Sequence, residues 1–138
     1  SYRRELITAL NWFYLNKKTP SVIEEENFVI INAEENIRDT LIGTVCSILV
    51  NSNIYREGTI ILGLAHTLDN NTKISIRIAG SKNLNLREIL EEITKNLGYE
   101  SGGHKAAAGS LIPMEKEEEF LEIATNVLKK RAIEEKVK

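Results

Sequence analysis

The segment Ser101-Gly102-Gly103-His104-Lys105 brings together residue types that handle an anion. Paired glycines let the main chain take left-handed conformations and let a ligand come close to the backbone. Successive N–H groups in such a turn can converge on a negative charge. A histidine beside them donates a hydrogen bond to a phosphate oxygen or acts as an acid, and Lys105 adds a point charge. The same residues also suit a plain tight turn with an exposed histidine, and spacing alone leaves both readings open. Ala106-Ala107-Ala108-Gly109 follows, and its small side chains suit close packing or the shaping of a site more than direct contact.

Arg77 is the second candidate. In Lys73-Ile74-Ser75-Ile76-Arg77-Ile78 the polar and apolar residues alternate, so a strand would put Lys73, Ser75 and Arg77 on one face and three isoleucines on the other. The polar face then offers ammonium, hydroxyl and guanidinium together, and arginine binds phosphate bidentately. An exposed strand arginine paired with a cross-strand carboxylate is the plainer alternative. Residues 73–105 hold six Lys/Arg and four Asp/Glu, a mildly positive stretch in a chain of net charge -2.

Other chemistry finds little support. His66 reads as a partly buried structural histidine. Two histidines and one cysteine lack metal-ligand spacing, and no His/Asp cluster suits a two-metal centre. The glycine-rich loop has neither Walker A nor dinucleotide-fingerprint spacing.

The elements that must position these residues follow from periodicity. Tyr2, Leu6, Ala9, Leu10 and Phe13 mark one face of a helix over 2–16, which Lys17-Lys18-Thr19-Pro20 ends. Residues 1–25 read as an N-terminal linker helix and connection, and 26–138 as the domain proper. Phe28–Ile31 is a β-branched strand and 36–50 the next helix. An apolar strand over 59–67, buried on both faces, turns at Asp69-Asn70-Asn71 into the alternating strand 73–78. Residues 86–97 form an amphipathic helix that Gly98 stops. A short strand at 110–112 precedes a helix over 115–130, acidic at its start and basic at its end as the helix dipole favours. A charged, fraying tail closes the chain. The fold class is α/β, a mixed β-sheet with flanking helices.

The 138 residues fit one domain, 42% of them hydrophobic. The acidic balance announces no basic nucleic-acid surface, so an anionic ligand needs a local patch. Cys46 alone cannot make an intrachain disulfide; it reads as a small buried hydrophobe in a reducing, cytoplasmic setting. No run reaches the roughly 20 apolar residues that span a bilayer, so no membrane partner is expected. Starting at Ser1 rather than methionine, the chain reads as part of something longer.

Three segments together resemble a known family. Gly102-Gly103-His104-Lys105-Ala106-Ala107-Ala108-Gly109 resembles the G-G-H-x-x-A-A-G signature of the DHH-associated (DHHA-type) domain. Asp39 to Ser47 is similar to its I-G-x-V-A-S helix, with Cys46 in place of the usual alanine. Lys73 to Arg77 is similar to its K-x-S-x-R strand. They occur in family order over about residues 28–128, and the wording is most similar to archaeal RecJ-like proteins. The resemblance implies a domain that follows a DHH catalytic domain and closes over its cleft. That catalytic domain would carry two manganese or magnesium ions and hydrolyse phosphodiesters; no cofactor is expected in the present chain. His104 would face the metal centre and the scissile or terminal phosphate. Gly102 and Gly103 would offer backbone N–H groups, Lys105 a charge, and Arg77 with Ser75 a grip on a neighbouring phosphate. The implied partners are single-stranded DNA or RNA, or an oligonucleotide, the N-terminal DHH domain, and replication proteins. Short oligonucleotides or nucleotide phosphates, tRNA as in alanyl-tRNA synthetase, and a non-catalytic scaffold are the alternatives. No Asp-His-His occurs in this sequence, so the chain alone is expected to be inactive.

Overall fold

The structure is a computed structural model that describes residues 1–80 and 83–136. Its centre is a six-stranded mixed sheet in the order β1-β2-β3-β4-β6-β5. The strands are β1 (Val22–Glu24), β2 (Phe28–Asn32), β3 (Ile60–His66), β4 (Asn71–Ile78), β5 (Ser101–His104) and β6 (Ala107–Pro113). Only β2 and β3 pair in parallel, joined through helix α2 (Asp39–Val50); the other neighbours are antiparallel. This is the expected mixed sheet.

Helices cover both faces. On one, Ala9 and Phe13 of α1 (Tyr2–Asn16) and Leu41, Ile42, Val45, Cys46 and Leu49 of α2 pack on Val29, Ile31, Ile61 and Ala65. On the other, Leu86, Ile89, Leu90 and Ile93 of α3 (Leu86–Thr94) and Phe120, Ala124 and Leu128 of α4 (Glu117–Lys136) pack on Ile30, Leu62, Leu64, Ile74 and Ile76. Each fully buried Phe, Leu or Ile contributes about 1.5–3 kcal/mol through area removed from water. Strand β3 lies in the middle, which is why it is apolar at nearly every position. Gly63 there lets α2 sit close: a β-carbon on it would lie 2.6 Å from Cys46 Sγ and 2.9 Å from Ile42 Cγ1.

Several boundaries differ from the sequence reading, each for a local reason. Residues 22–24, expected within the linker, form edge strand β1 against β2. Helix α2 starts at Asp39 rather than at residue 36, because residues 33–38 make a turn in which Asn36 N donates to Ala33 O at 2.8 Å and Glu34 takes a φ of 52°. The final helix begins at Glu117, after a 3-10 turn at Met114–Lys116, and continues to Lys136, so much of the expected frayed tail is helical. Residues 137–138 of that tail lie outside the described residues. The glycine loop is not a free loop. It is β5, a turn, and the start of a β6 that runs well beyond the expected residues 110–112. Among the described residues no helix is long and apolar enough to cross a membrane.

Candidate phosphate-binding site

Strand alternation places the site. Arg77, Ser75 and Lys73 of β4 pair with Ala107, Gly109 and Leu111 of β6, and β6 in turn sets Gly102 opposite Gly109 and His104 opposite Ala107. Directly opposed residues share a face, so these side chains line the face covered by α2. The helix covers β3 and β4 and leaves the β6–β5 end of that face open. The result is a cleft of about 540 Å³ between the first turns of α2 (Asp39, Thr40, Gly43, Thr44), the β4 residues Lys73, Ser75 and Arg77, and a floor of Gly102, Gly103, Ala107, Ala108 and Gly109. The three segments that carried the family resemblance meet in it.

Arg77 is half-buried and held by neutral groups. Its Nε donates to Ser47 Oγ (3.0 Å), and its Nη1 donates to Ile76 O (2.9 Å) and Ala108 O (3.2 Å). No carboxylate among the described residues pairs with it, which removes the cross-strand ion-pair alternative. Nη2 takes part in none of these bonds and lies 2.9 Å from where a β-carbon on Gly43 would sit, with Ser75 Oγ 3.3 Å from the same point. Gly43 thus makes the room in which Arg77 and Ser75 face the cleft. The guanidinium keeps its charge, its orientation and a donor for a ligand.

The glycines differ in kind. Gly103 has a φ of 103°, and a β-carbon on it would lie 2.5 Å from Ala107 O and 2.8 Å from Ala108 Cα, so the hairpin itself requires glycine. Gly102 has nothing within 4 Å of its β-carbon position and no left-handed φ. The fold does not demand glycine there, and the open space above it is the cleft.

His104 and Lys105 border the cleft without lining it. Both are exposed at the tip of the β5–β6 hairpin. Strand spacing sets His104 about 10 Å from Arg77 across the sheet, with Ala107 between them. His104 Nδ1 accepts from Ala106 N at 3.3 Å, so the neutral ring carries its proton on Nε2, pointing away from that contact. Lys105 O accepts from Leu86 N (2.8 Å) and Gly103 O accepts from Arg87 Nη1 (3.4 Å), tying the tip to the start of α3.

The sequence reading singled out Ser75, Arg77 and the glycine loop; it put the Lys73 ammonium on the same strand face without naming it a site residue, and it gave no ligand-binding role to Gly109 or the cleft-facing α2 residues. Lys73 shares the face alternation assigned to Arg77, and Gly109 closes the small-residue run, so that signal was present.

His66 lies on the other face and is structural. Its Nδ1 meets Glu35 Oε1 at 3.0 Å and its Nε2 meets Glu117 Oε1 at 2.9 Å, while Thr72 Oγ1 donates to that same Glu117 oxygen at 3.0 Å. Burial pulls the imidazole pKa down, but the two carboxylates outweigh it and hold it above the usual value. Cys46 is inert: burial pushes its thiol up to about 12 against the pull of Arg77. Among the described residues no group of three or more His, Cys, Asp or Glu could hold a metal ion.

A family model described as the DHHA1 domain matches residues 26–130. No curated protein matches the sequence significantly. Similar solved structures share the fold at low identity. The C-Ala domain of alanyl-tRNA synthetase from Aquifex aeolicus is 14% identical with a TM-score of 0.58, over 78% of this chain and 96% of that one. RecJ of Thermus thermophilus, solved with Mn2+, is 15% identical with a TM-score of 0.58, over 91% of this chain. The pGpG-specific phosphodiesterase PggH from Vibrio cholerae is 14% identical with a TM-score of 0.50, over 91% of this chain. The present chain spans 17% of that RecJ and 41% of PggH. With a family match over most of its length and the characteristic segments gathered around one cleft, the chain belongs to the DHHA1 domain family.

Proposed function

We propose that this chain is the substrate-gripping domain of a metal-dependent DHH phosphoesterase, of the RecJ-like type that acts on single-stranded DNA or RNA. Arg77 carries the reading: a half-buried guanidinium, oriented by Ser47 and two carbonyls, with Nη2 left for a ligand over a glycine floor. A phosphate on Arg77 sits beside Ser75 Oγ and within reach of the Gly102 and Gly103 backbone. His104 at the rim presents Nε2–H to a neighbouring phosphate oxygen, facing a catalytic domain docked across the open side of the cleft. That domain, N-terminal in a longer chain, would supply the manganese or magnesium ions; no metal step runs through the present residues. Replication proteins and an archaeal, cytoplasmic setting belong to the same reading and rest on the wording of the sequence alone.

A second reading has a specific observation behind it. The cleft has walls on the α2 side and a short floor, which suits an oligonucleotide of a few units, and PggH is named for a dinucleotide substrate. Anisotropy titrations of the chain with a long single strand, a dinucleotide and tRNA separate the readings. Salt-sensitive binding of the long strand, weakened about 10- to 100-fold by Arg77→Ala, is expected. Equal affinity for the dinucleotide favours the short-substrate enzyme, and selective tRNA binding overturns both.

A further inference from the structure

Both ring nitrogens of His66 meet carboxylates, Glu35 at Nδ1 and Glu117 at Nε2. A carboxylate only accepts, so the two bonds exist together only while the ring carries both protons. Burial favours the neutral ring, and Glu35 and Glu117, the charged groups that act on it, outweigh that pull. From β4 the ring's neighbourhood receives the Thr72 hydroxyl, which donates to Glu117. Lys116, the residue before Glu117, pairs with Glu119 instead at 3.8 Å. The two carboxylates differ in what losing a donor costs: the Glu117 side chain is 14% exposed and that of Glu35 78%. A buried acceptor left bare costs more than one that water can reach. A ring that gives up one proton therefore keeps Nε2–H on Glu117 and turns a bare Nδ1 lone pair on Glu35. Two acceptors at 3.0 Å repel, and the exposed Glu35 swings out to water.

Glu35 sits in the turn that leads into α2. Backbone bonds tie the start of this turn to β3, Ala33 N to Leu64 O at 2.9 Å and His66 N to Glu34 O at 2.8 Å. Between them Glu34 takes a left-handed φ of 52°, a conformation that persists only where its surroundings hold it. Buried Ile37 anchors the far end. Helix α2 then begins at Asp39 with no side-chain cap, so the turn sets the place of its first residues. Asp39, Thr40 and Gly43 are the wall of the cleft.

We propose that a proton on His66 latches this turn and so tunes the cleft: the doubly protonated ring fixes the α2 wall, and the neutral ring loosens it and weakens ligand binding. The effect on ligands rests on the phosphate-binding reading of the cleft; the latch itself is read from the turn. Its sign is fixed by the chemistry, since the Glu35 bond is present at low pH and is lost as pH rises through the His66 pKa.

The test follows the isotopically labelled chain from about pH 5.5 to about pH 9, either side of the histidine range. Ring nitrogen shifts should show Nδ1 losing its proton while Nε2 keeps one. Over the same range, amide protection factors at residues 34–40 should fall by about three- to tenfold, the scale of one exposed charge-assisted bond. That fall should be the same in dilute urea, the mark of a local opening. Glu35→Gln, an exposed substitution whose amide can bond the ring in either state, should hold these factors within about twofold across the range. Binding is read with a short oligo-deoxyadenosine that has no terminal phosphate and so does not titrate here. It is read in a His104→Gln background, because His104 at the rim also titrates in this range. Affinity should drop by about two- to threefold at the alkaline end, and Glu35→Gln should abolish the drop. Unchanged protection at residues 34–40 after Nδ1 has lost its proton, or a Glu35→Gln chain that keeps the wild-type fall, overturns the latch. Loosening without a change in affinity overturns its link to the cleft. If the strand binds at no pH, or binds Arg77→Ala as well as wild type, the phosphate-binding reading fails and the effect on ligands with it, while the exchange data judge the latch alone.

Discussion

Arg77 Nε on β4 donates to Ser47 Oγ on α2 at 3.0 Å, so a helix hydroxyl, not a carboxylate, fixes the guanidinium. A carboxylate would orient Arg77 equally well but would cancel the charge that a phosphate needs. Ser47→Ala should therefore loosen Arg77 without neutralising it. A phosphorylated oligonucleotide should bind about two- to tenfold more weakly, the scale of one hydrogen bond. Binding calorimetry of the single and double variants checks this: after Arg77→Ala, removing Ser47 Oγ should cost little more.

Gly43→Ala separates stability from binding. Alanine favours the helix by roughly 0.5–1 kcal/mol over glycine. Its β-carbon, however, would lie 2.9 Å from Arg77 Nη2, at the end of a side chain that can move aside. Urea denaturation should show stability equal to or above wild type, while ligand affinity falls about tenfold or more as Arg77 leaves its position.

The two glycines at the hairpin should respond in opposite ways. Gly102→Ala meets no atom within 4 Å and should leave the unfolding midpoint nearly unchanged while weakening ligand binding. Gly103→Ala combines a φ of 103° with a contact of 2.5 Å to Ala107 O, and should cost about 1–3 kcal/mol of stability. Parallel denaturation and binding curves for the two variants check the contrast.

The positions of these residues were legible in the sequence to different degrees. The Ile74/Ile76/Ile78 alternation put Lys73, Ser75 and Arg77 on one face, and the pairing register bears that out. The β5–β6 hairpin was hidden because Ser-Gly-Gly-His has poor strand propensity; pairing with Ala107 to Ser110, not local preference, makes it a strand. Strand β1 was hidden by its three-residue length. The partners of His66 come from 31 and 51 residues away, a distance no local pattern reports.

That His66 contact predicts a pH dependence. Its folded-state pKa is raised above the ordinary 6.5 because the pull of Glu35 and Glu117 exceeds the cost of burial. A raised folded value means the contribution is fully present below about pH 6.5 and is lost as pH rises through the folded pKa. Stability should thus decline from mildly acidic to mildly alkaline pH, and His66→Gln should flatten that slope. Glu35 acts at the other end: its hydrogen bond to His66 lowers its pKa below 4.5, so its contribution disappears as the solution becomes strongly acidic. Denaturant midpoints across this range, for wild type and His66→Gln, check both limbs.

The cleft between α2 and the β5–β6 hairpin is where this chain is proposed to hold phosphate, and one measurement tests that most directly. Amide chemical shifts of the isotopically labelled chain are followed during titration with a short phosphorylated single strand. Saturable, salt-sensitive shifts should concentrate at Gly43, Thr44, Ser75, Arg77, Gly102, Gly103 and Gly109, and should be lost in Arg77→Ala. Shifts centred instead on α1 or on the α3–α4 face, or persisting unchanged in Arg77→Ala, would contradict phosphate binding in this cleft.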